Sequence, residues 1–354
     1  MFRASLIGLG AVAERIHLPA LAQSGAFTLV AACDPDAARR QKMARAFEIG
    51  TTYEDPQAML ASERPDVVII GTPPHLHLEH CLVALEHGAH VFCEKPFVET
   101  PADAQRVLDA ATRAGRLVLV NNQYRYMAMY REPARRLAAG EFGRPFLIQA
   151  WQQMYHPPAK ETNWRAGLVR STLFEFGTHA LDLICLLFGT APTSITVEMP
   201  HPDPAIPADV VVAMLLRFPG ERVATVVLNR ISHAPQRYFE MRVDAARASL
   251  RLSLGGVARA SLDWSPALGR PIGRMSLVKG GEARLEVGGR SRVIAREPRT
   301  AFASATASHL DEFASRLRAG DFDQRALRHQ LTLIRLVDAG YESARTGQTI
   351  RFAE

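Results

Sequence analysis

A chain of 354 residues is too long for one ordinary core and implies two domains, while 47% hydrophobic and 22% charged residues without a low-complexity tract describe a globular protein throughout. The net charge of +6 comes from arginines interleaved with Asp and Glu along the chain, not from a basic stripe with stacking aromatics, which argues against a nucleic-acid partner. No apolar run reaches the ~18 residues of a membrane span, no signal peptide precedes the first strand, and Cys33, Cys81, Cys93 and Cys185 stand singly, so the expectation is a reduced, cytoplasmic protein.

The chain opens with a short apolar strand running into Gly8-Leu9-Gly10-Ala11-Val12-Ala13, a G-x-G-x-x-A pattern followed by a helical one. Gly8 permits the tight turn, Gly10 lets a pyrophosphate approach the backbone, and Ala13 lets the helix lie close to the strand. The helix start then offers free N–H groups to phosphates, which makes Gly8, Gly10, Ala11 and Val12 candidate dinucleotide contacts. A second apolar run, Leu29–Cys33, ends at Asp34, near the spacing at which an acidic residue takes the adenosine ribose hydroxyls. A carboxylate there favours NAD; Arg39 and Arg40 offset part of its repulsion toward a 2′-phosphate and leave NADP open.

The alternation continues through helix 37–47, the buried-strand run Val67–Ile70 stopping at Gly71-Thr72-Pro73-Pro74, helix 76–86, strand His90–Cys93, helix 101–114 and strand 117–120 ending at Asn121-Asn122. Strands without polar alternation, separated by helix-length segments, predict a doubly wound parallel sheet of Rossmann type over residues 1–122. Ligands of such sheets bind beyond the carboxyl ends of the strands, which is where Asp34, Thr72, Pro73, Glu94, Lys95 and Asn122 all fall. His75, His77 and His80 follow one of these ends; loop and helix-start roles are favoured over a zinc site.

Of 42 Lys plus Arg residues only four are lysines: Lys42, Lys95, Lys160 and Lys279. Arginine holds its proton in a protein, whereas a lysine ammonium can be tuned by burial to take part in proton transfer. In a composition so biased to arginine, Lys95 at a strand end is a candidate for chemistry, weighed against a surface lysine in a turn stiffened by Pro96.

Beyond Asn122 the pattern changes. Helix 129–139 precedes strand 145–155, and from Thr193 to about Ala295 strand follows strand, with Gly-Gly turn signals at 255–256, 280–281 and 288–289. This predicts an α+β domain over 123–354 with a large open, mostly antiparallel sheet whose free face meets a partner subunit. Helices 303–319 and 324–345 return to pack on earlier parts of the chain. In between, Glu175, His179 and Asp182 at i, i+4 and i+7 are expected on one face of an otherwise apolar helix. His179 reads as a proton-transfer histidine whose tautomer is set by a carboxylate; a satisfied core histidine is the bland alternative, and no matching cluster supports a metal.

With these motifs in place the chain resembles the Gfo/Idh/MocA family of NAD(P)-dependent oxidoreductases nearly end to end. The resemblance runs through Gly8–Ala13 with Ile16-His17-Leu18-Pro19, Thr72-Pro73-Pro74 with His77, Glu94-Lys95-Pro96, Tyr124-Arg125-Tyr126, Trp164-Arg165, Gly177 with His179 and Asp182, and Glu342–Gly347. It implies that Lys95 hydrogen-bonds the reacting oxygen and the nicotinamide ribose, that His179 accepts the proton with Glu175 beside it, and that Asp182 binds a substrate hydroxyl. His77 and Glu94 join the cofactor contacts, and Arg125, Tyr155, Trp164 and Arg165 join the substrate contacts. Two departures stand out: Val169–Thr172 and Glu175 replace the family's glycine-rich run and aspartate, and Asp244–Ala248 replaces a glycine-rich turn.

The resulting expectation is hydride transfer between NAD and a secondary alcohol of a sugar, polyol or related cyclic compound, in a homodimer or homotetramer built through the C-terminal sheet. Reduction of a non-sugar carbonyl or imine, redox cycling on a glycoside with tightly held NAD, and a non-catalytic cofactor-binding regulator are the alternatives.

Overall fold

The structure, a computed structural model, describes residues 1–161, 164–234, 236–255, 257–265, 269–278, 280–298 and 300–352, and for 257–265 and 271–278 the backbone alone. Gly256 and Lys279, named above, lie outside the described residues. The chain forms two compact units, each discontinuous in sequence: 1–126 with 173–182 and 302–345, and 127–172 with 183–301 and 346–354. A cut at residue 122 therefore misses two later segments that belong with the first sheet.

In the first unit the order is β1 (Phe2–Ile7), α1 (Leu18–Ser24), β2 (Phe27–Cys33), α2 (Ala37–Phe47), β3 (Thr52–Tyr53), α3 (Pro56–Glu63), β4 (Val67–Ile70), α4 (His77–Glu86), β5 (His90–Cys93), α5 (Pro101–Ala114) and β6 (Val118–Val120). All strand pairs are parallel and the sheet order is β3-β2-β1-β4-β5-β6. The order reverses beside β1, so a crevice opens between the ends of β1 and β4.

Period-two alternation sends successive side chains to opposite faces. Ile7, Val68, Ile70, Val91 and Val118 build one core with α3, α4 and α5, while Leu6, Val67, Ile69, Phe92 and Leu119 build the other with α1 and α2. Caps fix the helix starts: Asp36, Asp55 and Thr100 each accept a backbone N–H of the first turn.

The second unit begins with α6 (Ala128–Ala138) and β7 (Pro145–Gln153). The helix α7 (Thr178–Phe188) crosses the division between units at Asp182/Leu183. Then follow β8 (Ser194–Glu198), β9 (Val211–Phe218), β10 (Arg222–Asn229), β11 (Arg237–Ala245), β12 (Ser249–Leu254), β13 (Val257–Ser265), β14 (Arg270–Val278), β15 (Gly281–Val287) and β16 (Arg290–Glu297). α8 (Ala301–Ala319) and α9 (Arg325–Thr346) come next, and β17 (Ile350–Arg351) ends the order.

Nine strands form a sheet ordered β16-β15-β12-β11-β7-β10-β9-β8-β17. Every pair is antiparallel except β7 with β10. One face is buried through Ile148, Val212, Leu216, Val226 and Met241, whereas on the other Val227 is 46% exposed beside Trp151 and Ala213. The turn at 244–248 closes without glycine, because the Ala245 N–H donates to the Ala248 carbonyl at 2.9 Å and Asp244 pairs with Ser249 in register. β13 and β14 form a separate antiparallel pair.

The helices α8 and α9 return to the first unit, one to each core. Leu310, Phe313 and Leu317 of α8 pack with Phe27 and Phe92; Leu327, Leu331 and Ile334 of α9 join the opposite face.

Candidate active site

Gly8 has a φ of +93°, and a Cβ there would come within 2.8 Å of Thr72 Cγ2 and 2.9 Å of the Gly71 backbone, so only glycine lets the turns after β1 and β4 pack together. Gly10 differs: a Cβ would meet nothing within 4 Å, which leaves an open cradle over the backbone. The helix that starts at Ala11 passes through a π-helical turn, Ala13–His17, before α1. Asp34 is buried at the end of β2, where its carboxylate accepts the Leu9 N–H at 2.9 Å and the Asp36 N–H at 3.0 Å. Arg39 lies 3.1 Å from the same carboxylate, and Arg40 donates to the Asp34 carbonyl.

The strand end that carries Lys95 is braced from below. Glu94 Oε2 accepts the Lys95 N–H at 3.0 Å, and Oε1 accepts from Asn121 Nδ2 at 2.6 Å. His17 Nε2 lies 3.0 Å from Oε1, close enough to pair though not aligned as a hydrogen bond. Asn121 Nδ2 donates on to Thr306 Oγ1 of α8. Burial alone would push the Glu94 carboxyl up, but His17, the Asn121 amide and the Lys95 charge outweigh it and hold it down to about 2. Glu94, expected among the cofactor contacts, thus has each oxygen accepting a bond from within the protein, which ties it to the Lys95 loop.

His77, also expected among the cofactor contacts, is bonded inside the protein as well. Its Nδ1 sits 2.8 Å from the Phe97 carbonyl oxygen and 3.0 Å from that of Pro96, and Nε2 sits 2.8 Å from that of Thr72. Both ring nitrogens face backbone oxygens. His80 Nδ1 meets Thr72 Oγ1 at 3.1 Å. Pro73 precedes this helix start in extended conformation.

The expected shared helix face of Glu175, His179 and Asp182 is also revised. Residues Leu173–Gly177 form a π-helical turn and α7 begins only at Thr178, so the α-helical spacing does not carry across Glu175. His179 is buried with its ring stacked on Tyr124, centroids 3.9 Å apart and planes at 5°. Burial first, and then the Lys95 charge, push the imidazole well below its usual range, against the opposing pull of Asp182 and Glu94.

Asp182 is buried, and both of its oxygens accept from Arg125 Nε at 2.8 Å; His329 Nε2 of α9 lies 2.8 Å from Oδ1. Burial would raise this carboxyl, but the Arg125 charge and the His329 contact hold it at about 2. Asp182, expected to bind a substrate hydroxyl, is thus the centre of an Arg125–Asp182–His329 cluster, with Arg125 and His329 each partly exposed.

Lys95, Glu175, His179, Asp182, Arg125 and Asn122 all belong to the first unit; Tyr155, Trp164 and Arg165 belong to the second. There Tyr155 stacks on His233 at 4.6 Å, and Arg165 lies over the Trp164 ring at 4.3 Å. Sequence reasoning did not name Tyr124, Asn121, Thr306 or His329 as site residues. A lone histidine or threonine on a long amphipathic helix carries no local signal, since its partners lie 147 and 185 residues away.

The crevice suits a dinucleotide. Gly10 offers the open cradle, Asp34 stands at the end of the second strand, and the buried Asn122 Oδ1 has no hydrogen-bond partner among the described residues.

Two family models match the chain: the Gfo/Idh/MocA oxidoreductase family with its NAD-binding Rossmann fold over residues 2–122, and the Gfo/Idh/MocA C-terminal domain over residues 130–252. Along 99% of its length the chain is similar to D-apiose dehydrogenase of Paraburkholderia graminis, at 28% identity over 89% of that protein. A stretch of 148 residues is 33% identical to D-glucoside 3-dehydrogenase of Escherichia coli and spans 42% of each chain, so this second match takes in less than half of that relative. Aldose-aldose oxidoreductase of Caulobacter crescentus, solved in complex with glycerol, shares the fold with a TM-score of 0.82 at 21% identity, covering 99% of both chains.

Proposed function

The chain belongs to the Gfo/Idh/MocA family of oxidoreductases with an NAD-binding Rossmann domain, and on this footing we propose that it oxidises a secondary alcohol of a sugar, polyol or related cyclic compound. The observation that carries the reading is His179. It is a buried imidazole held neutral by burial and by the charge of Lys95. A neutral imidazole beside a cation is what removal of an alcohol proton needs, because the ring accepts the proton while the ammonium steadies the negative charge growing on oxygen.

NAD, when bound, supplies the hydride acceptor. Gly8, Gly10 and the helix start at Ala11 and Val12 would hold its pyrophosphate, Asp34 its adenosine ribose, and Asn122 with the Thr72-Pro73 turn its nicotinamide half. Lys95 hydrogen-bonds the substrate oxygen and His179 takes its proton, with Tyr124 fixing the plane of the ring. Arg125 presents its guanidinium beside Asp182 for neighbouring hydroxyls. The names of the apiose and glucoside relatives support a carbohydrate substrate, and Asp34 supports NAD over NADP. The open face of the nine-stranded sheet supports a homodimer or homotetramer.

A spectrophotometric screen of NAD and NADP reduction against sugars, polyols and cyclitols tests the reading, with Lys95→Arg as control. Arginine keeps the cation but holds its proton and presents a planar fork. Turnover is expected to fall at least ~100-fold, the lower end for losing a positioned proton-transfer group, with NAD still bound. Near-normal turnover by Lys95→Arg would remove Lys95 from the chemistry.

A further inference from the structure

We infer that His77 is a positioning residue for Lys95, strapping the turn after β5 to the first turn of α4; the inference rests on Lys95 acting at the reacting oxygen as proposed above. The ring stands in the first turn of α4, only 1% exposed. One nitrogen faces the carbonyls of Pro96 and Phe97, the two residues that follow Lys95, and the other faces the carbonyl of Thr72. The pyrrolidine of Pro96 fixes its own φ, so anchoring the Pro96 carbonyl leaves the Lys95 Cα little room to move. Upstream, Glu94 Oε2 accepts the Lys95 N–H. The lysine is therefore clamped on both sides, by a carboxylate on its amide and by an imidazole on the carbonyls beyond it.

The ring chemistry indicates which half of the strap matters. Carbonyl oxygens only accept, so a hydrogen bond to one needs an N–H on the ring. Burial pushes His77 below its usual range, and the neutral ring carries a single proton. Nδ1 faces two acceptors and Nε2 one, so the proton belongs on Nδ1, toward Pro96 and Phe97. Asn places an amide where Nδ1 lies, and Gln places one where Nε2 lies. The two variants thereby separate the Lys95 side of the strap from the Thr72 side.

The experiment measures kcat for NAD reduction, NADH affinity by fluorescence and the folded fraction by circular dichroism. The variants are His77→Ala, His77→Asn and His77→Gln, each alone and in a Lys95→Met background. His77→Ala and His77→Gln should lose about 100-fold in kcat, the scale of a ~1 Å misplacement of a catalytic group, while NADH affinity stays within about twofold. His77→Asn should recover most of the loss. In the Lys95→Met background His77→Ala should add less than about threefold, because a residue acting only through Lys95 has nothing left to position.

A full 100-fold loss in that background, equal damage from Asn and Gln, or a fall in NADH affinity at unchanged kcat overturns the strap, the last because it marks a cofactor contact. Near-normal turnover by Lys95→Met alone is a different failure: it removes the proposed chemistry and the inference with it. An inactive Lys95→Met beside an undiminished His77→Ala removes the strap alone.

Discussion

Replacing Glu94 with glutamine keeps the shape of the side chain and removes its charge. The folded structure lowers this carboxyl from 4.5 to about 2, roughly 2.5 units at 1.36 kcal/mol each, so the ionised form contributes about 3 kcal/mol to folding. The folded value lies below the unfolded one, so this stability is complete above pH 4.5 and is lost as pH falls toward 2. The advantage of the parent over Glu94→Gln should be about 3 kcal/mol at pH 7 and smaller by about 1 kcal/mol at pH 4. Urea unfolding at the two pH values measures it. Far-UV circular dichroism is the better probe, because Trp151, Trp164 and Trp264 all lie in the second unit and their fluorescence reports that unit. An advantage under about 1 kcal/mol at pH 7, or one that does not change between pH 7 and pH 4, would refute the idea that Glu94 is a buried anion under the Lys95 loop.

Two more outcomes follow from the same geometry. Only neutral imidazole accepts a proton, and His179 is held well below 6.5 by burial and Lys95; kcat/KM for alcohol oxidation should therefore show no acid limb from this residue between pH 8 and pH 6.5, and a limb at or above 6.5 that vanishes in His179→Asn would contradict the assigned environment. Asp34→Ser removes the carboxylate proposed to meet the ribose and leaves Arg39 paired with Asp36 alone, so NAD affinity should fall and NADP affinity rise relative to it, whereas an unchanged ratio in titrations would take Asp34 out of the cofactor site.

Most of the first sheet was legible because fully buried parallel strands read as unbroken apolar runs, and Val67–Ile70 and His90–Cys93 fall where their runs predict. Glycine was legible in kind: the positive φ at Gly8 and the open space at Gly10 are the two roles the motif assigns. The helix face of Glu175, His179 and Asp182 was not, since a π turn adds a residue to the repeat without a compositional mark. The partners of Asp182 were hidden for another reason. Arg125 lies 57 residues upstream and His329 lies 147 downstream, so only the tertiary fold of the first unit brings them to Asp182. Glu94 after β5 and His77 at the start of α4 fall where the sequence puts them, but their bonds inside the protein were not legible, because spacing gives a residue's address and not the direction of its side chain.

The return of α8 and α9 sets a timetable for synthesis. A ribosome that has made the first 300 residues has released every strand of the parallel sheet, and Lys95 and His179 with it, yet neither Thr306 for Asn121 nor His329 for Asp182 has been translated. Phe92 waits for Phe313, and the opposite face waits for Leu327 and Leu331. The nascent first unit must keep two greasy surfaces from misassembling until the last helices emerge, and a chain released early carries Lys95 and His179 without the helices that complete their unit.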